Sequence, residues 1–245
     1  MVSRLQDHGG KGDVLLRPTE QDLLDNWAHI LYENNKGNRR LNGYPLAQGE
    51  MQQILEKVAK LHTPMRPNGL INGRAVSITC GNPDDVGHFN REVSLYIYDR
   101  RDIVSGRSVY QIAEQPIFKA RSARLNDRRG DLTLLINGMP LIHIELKRSG
   151  VPVSQACNQI EKYAYEGVFT GLFSLVQIFV SMEPVETVYF ANPGEGGDFS
   201  LCRFHWAFSR STSTATSPET RPRFRPRRTR TCCASASRAM IRPTR

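Results

Sequence analysis

The stretch RGDLTLLINGMPLIHIELKR, residues 129–148, decides the fold of this chain. Residues 132–136 and 141–146 are strand-length runs of branched aliphatic side chains. The Asn137-Gly138 pair between them is a strong hairpin signal, because both residue types accept the positive φ that a tight turn needs. The two runs are therefore expected to pair antiparallel. Strand side chains alternate with period two, so Leu141, His143, Glu145 and Lys147 share one face, and Ile142, Ile144 and Leu146 share the other.

Register decides whether Asp131, just before the first run, joins Glu145 and Lys147. A two-residue turn continued without interruption sets Asp131 opposite Ile144 and points it to the wrong face. A three-residue Asn137-Gly138-Met139 loop, or an equivalent bulge, sets it opposite Glu145. Pro140, which has no N–H for a ladder, suits such an irregular position. Side by side, the two carboxylates repel, and a divalent cation relieves that repulsion while supplying a Lewis acid. Mg2+ prefers oxygen ligands and takes one or two protein carboxylates, leaving positions for waters and a substrate phosphate. Lys147 could orient or help deprotonate an attacking water and stabilise charge growing on the phosphate. An Asp at a strand start and a Glu-x-Lys at a strand end are also common solvated residues, so spacing alone leaves both readings open.

The arrangement resembles the PD-(D/E)xK nuclease superfamily. The wording RRGDLTLLINGMPLIHIELKRSG, followed by QACNQIEKY, is similar to the N-terminal endonuclease domain of the restriction (R) subunit of type I restriction-modification enzymes. The similarity covers roughly residues 15–207. It implies that Asp131 is the first acid, Glu145 the second and Lys147 the lysine, with Asp131 and Glu145 as ligands of Mg2+. In the family the residue before the first acid is often Pro; here it is Gly130. One subgroup carries Gln-x-x-x-Tyr on the following helix, matched by Gln159 and Tyr163, whose i, i+4 spacing puts both on one helical face. Alone, that pair reads as a surface glutamine and a packed tyrosine; downstream of Glu145-Leu146-Lys147 it gains weight. The resemblance further implies double-stranded DNA as substrate, with modification (methyltransferase) and specificity subunits as partners. Such subunits continue into a helicase-like, ATP-driven motor. No G-x-x-x-x-G-K-[ST] phosphate loop occurs in the 245 residues, so ATP use is expected only of a full-length subunit with its motor region.

Charge is misleading at first sight. The chain carries a formal +9, which ordinarily suggests a nucleic-acid partner. Residues 208–245 hold ten Arg and one acid, Glu219, so this tail accounts for all of the +9 and residues 1–207 are neutral. The tail is a low-complexity Ser, Thr, Arg, Pro and Ala segment without apolar periodicity, and disorder is the expectation for it. A frameshifted reading of GC-rich DNA is favoured over a genuine basic arm or a targeting segment, because every Lys disappears as Arg and Pro rise.

Residues 1–207 suit one domain with a sizeable core. Apolar spacing predicts helices over 21–33 and 48–61, with a loop at 37–45 between them and a loose start before them. Strands are expected at 75–79, 92–98, 109–114 and 118–120, then the hairpin. A helix over 154–166 carries Gln159 and Tyr163, and strands at 175–181 and 187–191 follow. The expected fold class is α/β: a mixed central sheet flanked by helices, with the catalytic core at about 75–195.

The five cysteines are an odd number without metal-ligand spacing, which suggests reduced thiols. There is no 18-residue apolar stretch and no signal-peptide core, so a cytoplasmic protein without membrane contact is expected. Asp84-Asp85 reads as a loop, and His143 as a packed or hydrogen-bonded strand histidine. Nothing in the sequence places Glu92 near the motif. Arg128, Arg129, Arg148 and Lys162 flank the motif and are candidates for DNA-backbone contacts. The competing functional readings are a stand-alone nuclease of the same superfamily acting in DNA repair, and an inactive truncated assembly module.

Overall fold

The computed structural model describes residues 12–37, 40–60, 75–98, 104–106, 108–119, 126–194, 197–199 and 203–207. The tail 208–245, Leu61 and Ala120 lie outside them.

The central hairpin joins Leu132–Ile136 (β7) to Met139–Leu146 (β8). Asn137 and Gly138 have φ of 50° and 82°, so the turn is the two-residue, left-handed kind, with Ile136 opposite Met139 and Leu135 opposite Pro140. The register then shifts: Leu134 faces Ile142, Thr133 faces His143 and Leu132 faces Ile144. The three-residue loop does not form. A bulge at Pro140-Leu141 supplies the extra residue instead, where a missing N–H costs the ladder nothing.

Around the hairpin lies a seven-stranded mixed sheet. Its order is Gly12–Leu16 (β1), Tyr110–Glu114 (β4), β7, β8, Ile178–Met182 (β9), Glu186–Ala191 (β10) and Phe204–Ala207 (β11). β1 runs parallel to β4 and β9 parallel to β8, while the other neighbours are antiparallel. The parallel β8–β9 step requires a crossover, and Val153–Tyr165 (α3) provides it. Ala75–Thr79 (β2) and Glu92–Tyr96 (β3) form a separate hairpin, and Ile117–Phe118 (β5) pairs with Arg128–Arg129 (β6).

Glu20–Asn35 (α1) starts at Thr19, whose hydroxyl accepts the Asp22 N–H at 3.2 Å while the Asp22 carboxylate accepts the Thr19 N–H at 2.9 Å. The Thr19 N–H, and then the Thr19 hydroxyl at 2.7 Å, donate to the Asp22 carboxylate and hold it below its ordinary pKa. Leu23, Trp27, Ile30 and Leu31 form its buried stripe, and Met51, Ile54, Leu55 and Val58 that of Gln48–Ala59 (α2). Asn35 ends α1 buried, exchanging hydrogen bonds with both backbone groups of Tyr96 and so tying the helix to β3.

The helices gather on one face of the sheet among the described residues. There Leu15, Ala113 and Leu135 pack with α1, while Phe179, Val188 and Phe190 pack under Val153, Cys157 and Ile160 of α3. Phe169 touches both clusters. The turn itself is part of this packing, since a Cβ at Gly138 would lie 2.9 Å from Trp27 Cα. The opposite face carries Ile112, Ile178 and Met182, each partly exposed.

Several expectations need correction. Within the start expected to be loose, Gly12–Leu16 form the edge strand β1, residues 1–11 lying outside the described residues, and β11 extends the other edge. Residues 171–175 form a 3-10 turn, so β9 begins only at Ile178. The strand expected at 118–120 is the short Ile117–Phe118, β3 ends at Tyr96 before a buried bend at Ile97 and Tyr98, and α2 is described to Ala59. Among the described residues no helix is long and apolar enough to cross a membrane.

Candidate active site

The bulge carries the face of Glu145 into line with Asp131. One step beyond the last pair, Leu132 with Ile144, Asp131 stands level with Glu145, and its Oδ2 accepts the N–H of Leu146 at 2.7 Å. Lys147 continues the strand, its own N–H donating to Met182 of β9 at 2.8 Å.

From α3, Gln159 reaches into the same place. Its Nε2 donates to Glu145 Oε2 at 2.7 Å and to the Tyr163 hydroxyl at 2.8 Å, and its Oε1 accepts from Lys147 Nζ at 2.6 Å. Tyr163, one helical turn on, donates to the carbonyl of Arg129 at 3.2 Å, two residues before Asp131. One glutamine therefore bridges an acid, a lysine and a tyrosine. All five residues singled out in the sequence, Asp131, Glu145, Lys147, Gln159 and Tyr163, come together.

The electrostatics are unusual for a strand carboxylate. Glu145 is wholly buried, and burial first, then the charge of Asp131, push its pKa up to about 8. Burial also raises Tyr163, with the charge of Glu145 adding to it. His143, likewise wholly buried, falls to about 4 for the same first reason. It is therefore neutral near pH 7, and its 2.9 Å contact from Nε2 to Glu145 Oε1 is a hydrogen bond rather than an ion pair.

Three residues were missed or passed over in the sequence. Thr133, opposite His143, meets His143 Nδ1 at 3.2 Å. Ser181, opposite Glu145 in the parallel ladder, buries a hydroxyl with no hydrogen-bond partner among the described residues. Gly130 leaves space that a Cβ would deny to His143. Period-two reading from Glu145 marks His143, and the bulged register then marks Thr133; the register of β9 is set by the crossover, which no local pattern encodes.

Other candidates lie elsewhere or are engaged. Arg128 makes a two-point ion pair with Glu166 at 2.8 and 2.9 Å, so it is not a free cation, while Arg129 and Arg148 are exposed. Lys162 lies 4.0 Å from the same Glu166. Glu92 is exposed on the separate hairpin. Asp85 is buried in its loop, bonded to His88 and Asn42.

Comparison with known proteins agrees with this architecture. Residues 17–197 match the family described as Type I restriction enzyme R protein N terminus. A type I restriction enzyme endonuclease subunit of Staphylococcus saprophyticus is 31% identical over 213 residues, covering 84% of this chain and 20% of the relative. One from Staphylococcus aureus strain MSSA476 is 31% identical over 211 residues, with the same coverage. The EcoprrI endonuclease subunit of Escherichia coli is 36% identical over 125 residues, 49% of this chain and 37% of the relative. The chain thus spans about one fifth of the length of the staphylococcal relatives. It belongs to the type I restriction enzyme R protein N-terminal family.

Proposed function

We propose that this domain is the nuclease of a type I restriction R subunit, hydrolysing phosphodiester bonds of double-stranded DNA with Mg2+. The observation that carries the reading is the pair Asp131 and Glu145: two acids brought level by a bulge, one of them wholly buried, its pKa raised by that burial first and then by the charge of the other. Burying a carboxylate next to a second one is costly without a cation. The donor set fits a hard cation. It offers two carboxylates, the ligand type that Mg2+ prefers and of which that ion usually takes one or two. Ser181 adds a buried oxygen beside Glu145 that has no hydrogen-bond partner among the described residues.

In this reading Asp131 and Glu145 hold the cation, which when bound neutralises their charge and polarises the scissile phosphate. Leu146 N–H fixes the Asp131 carboxylate, and Gln159 fixes that of Glu145. Lys147 presents its ammonium, steadied by Gln159 Oε1, to the attacking water and the phosphate oxygens. Water oxygen attacks phosphorus and gives up a proton to solvent, the P–O bond opposite breaks, and the departing oxygen takes up a proton from solvent. Modification and specificity subunits would supply target recognition in the cytoplasm, and an ATP-driven motor in the longer subunit would supply DNA movement. Incubating the purified chain with supercoiled plasmid in Mg2+ or EDTA tests the reading: nicking or linearisation in Mg2+ alone supports it, and intact plasmid in both contradicts it.

A further inference from the structure

We propose that His143 is a positioning residue that orients the Glu145 carboxylate toward its cation, and that position 130 is a glycine because His143, together with Phe118, occupies the space of its Cβ. The proposal rests on the cation reading above.

Glu145 is gripped at both oxygens. Gln159 takes Oε2 from the helix side, and His143 Nε2 takes Oε1 from within the strand. Once Glu145 is ionised beside its cation it can only accept, so the proton must then sit on Nε2, and the Thr133 hydroxyl facing Nδ1 at 3.2 Å can donate there, fixing this tautomer. Thr133, His143 and Glu145 are all 0% exposed, so water does not compete for these bonds. Three aromatic rings set edge-on wall the imidazole: Phe118 at 5.7 Å, Phe169 at 5.3 Å and Phe179 at 6.4 Å between centroids. The ring can neither tilt nor flip without displacing one of them. A ligand carboxylate held this way loses little freedom when it binds a metal.

Gly130 completes the arrangement. Its backbone does not have positive φ, so no conformational demand calls for glycine. Space does: a Cβ there would lie 2.6 Å from His143 Cε1 and 2.8 Å from Phe118 Cε2. The residue before the first acid and the residue two before the second are therefore sterically coupled.

The test measures Mn2+ affinity by calorimetry, and thermal unfolding in EDTA, for the full chain and its variants. His143→Leu removes the donor while keeping the site apolar. It is expected to fold and to bind Mn2+ about 10- to 100-fold more weakly, the usual range for losing such a support. His143→Gln, whose amide nitrogen can stand near the position of Nε2, is expected to recover most of the affinity. Should the leucine variant not fold, His143→Asn, too short to reach Glu145, replaces it with the same expectation. Independently of metal, Gly130→Ala is expected to lower the Tm clearly in the native background and by a smaller amount alongside His143→Ala, where Phe118 alone still crowds the added methyl. Native affinity in a folded His143→Leu or His143→Asn chain overturns the positioning role. An equal cost of Gly130→Ala in both backgrounds overturns the coupling. A native chain that binds no Mn2+ removes the cation reading itself, and the role of His143 falls with it.

Discussion

Asp131 is bonded to the backbone of the strand that carries its partner acid: its Oδ2 accepts the N–H of Leu146, immediately after Glu145, at 2.7 Å. The first acid is thus fixed by a group that mutation of Glu145 leaves in place. Asp131→Asn keeps an acceptor for that N–H and removes the charge that helps to hold Glu145 protonated. The variant should unfold in EDTA at a temperature equal to or above that of the native chain, while binding Mn2+ at least tenfold more weakly. A marked loss of stability without metal would show that the Asp131 charge supports the fold rather than straining it.

Lys147 separates chemistry from cation binding. An ammonium cannot ligate a metal, so Lys147→Ala should lose turnover by two or more orders of magnitude, with cation affinity changed only a few-fold. Gln159→Ala, which frees Glu145 Oε2 and the lysine together, should reduce both moderately. Calorimetry that finds cation binding abolished by Lys147→Ala while cleavage persists would reverse these roles.

The hairpin and its active face could be read from sequence because each rests on local rules: Asn137-Gly138 for the turn, period two for Glu145 and Lys147, i, i+4 for Gln159 and Tyr163. The demand that Asp131 meet Glu145 required one extra residue near Pro140, and the bulge is there. Distant partnerships were not legible. β1 is a five-residue strand that pairs in parallel with β4, nearly a hundred residues away, so its short GDVLL carries no sign of its neighbour. Ser181 comes to Glu145 through the crossover, and Arg128 to Glu166 through the docking of α3. His143 reads locally as any packed histidine, and only the three rings and two hydrogen bonds around it distinguish it.

Gly138 carries two demands at once, a φ of 82° and a backbone approach in which an added Cβ would stand 2.9 Å from Trp27 Cα. Gly138→Ala should therefore cost about 2–4 kcal/mol, more than either strain or crowding alone. Urea unfolding measures it, and a cost below about 0.5 kcal/mol would mean that the turn does not pack on α1 as described.

Stability should respond to pH in a metal-sensitive way. In EDTA, folded Glu145 keeps its proton up to about pH 8, whereas the unfolded side chain loses it near 4.5. His143 stays neutral in the fold down to about pH 4 but is protonated below 6.5 when unfolded. Between pH 4.5 and 6.5 the two oppose each other, the unfolded histidine and the folded glutamate each holding one extra proton. Between 6.5 and 8 only the glutamate differs, the folded state binds more protons, and stability falls as pH rises. The fall should be on the order of 1 kcal/mol, seen as a declining Tm in EDTA. Mg2+ should flatten it by favouring the carboxylate. A Tm that is level across this window in EDTA would contradict the buried, protonated Glu145.

The central claim is that Asp131 and Glu145 jointly hold the cation that cleaves DNA. Parallel measurement of Mn2+ binding and Mg2+-dependent plasmid cleavage in the native chain, Asp131→Asn and Glu145→Gln tests it most directly. The native chain should bind and cleave, while both variants should remain folded, bind Mn2+ at least tenfold more weakly and fail to cleave. Cleavage at the native rate by either folded variant would contradict it.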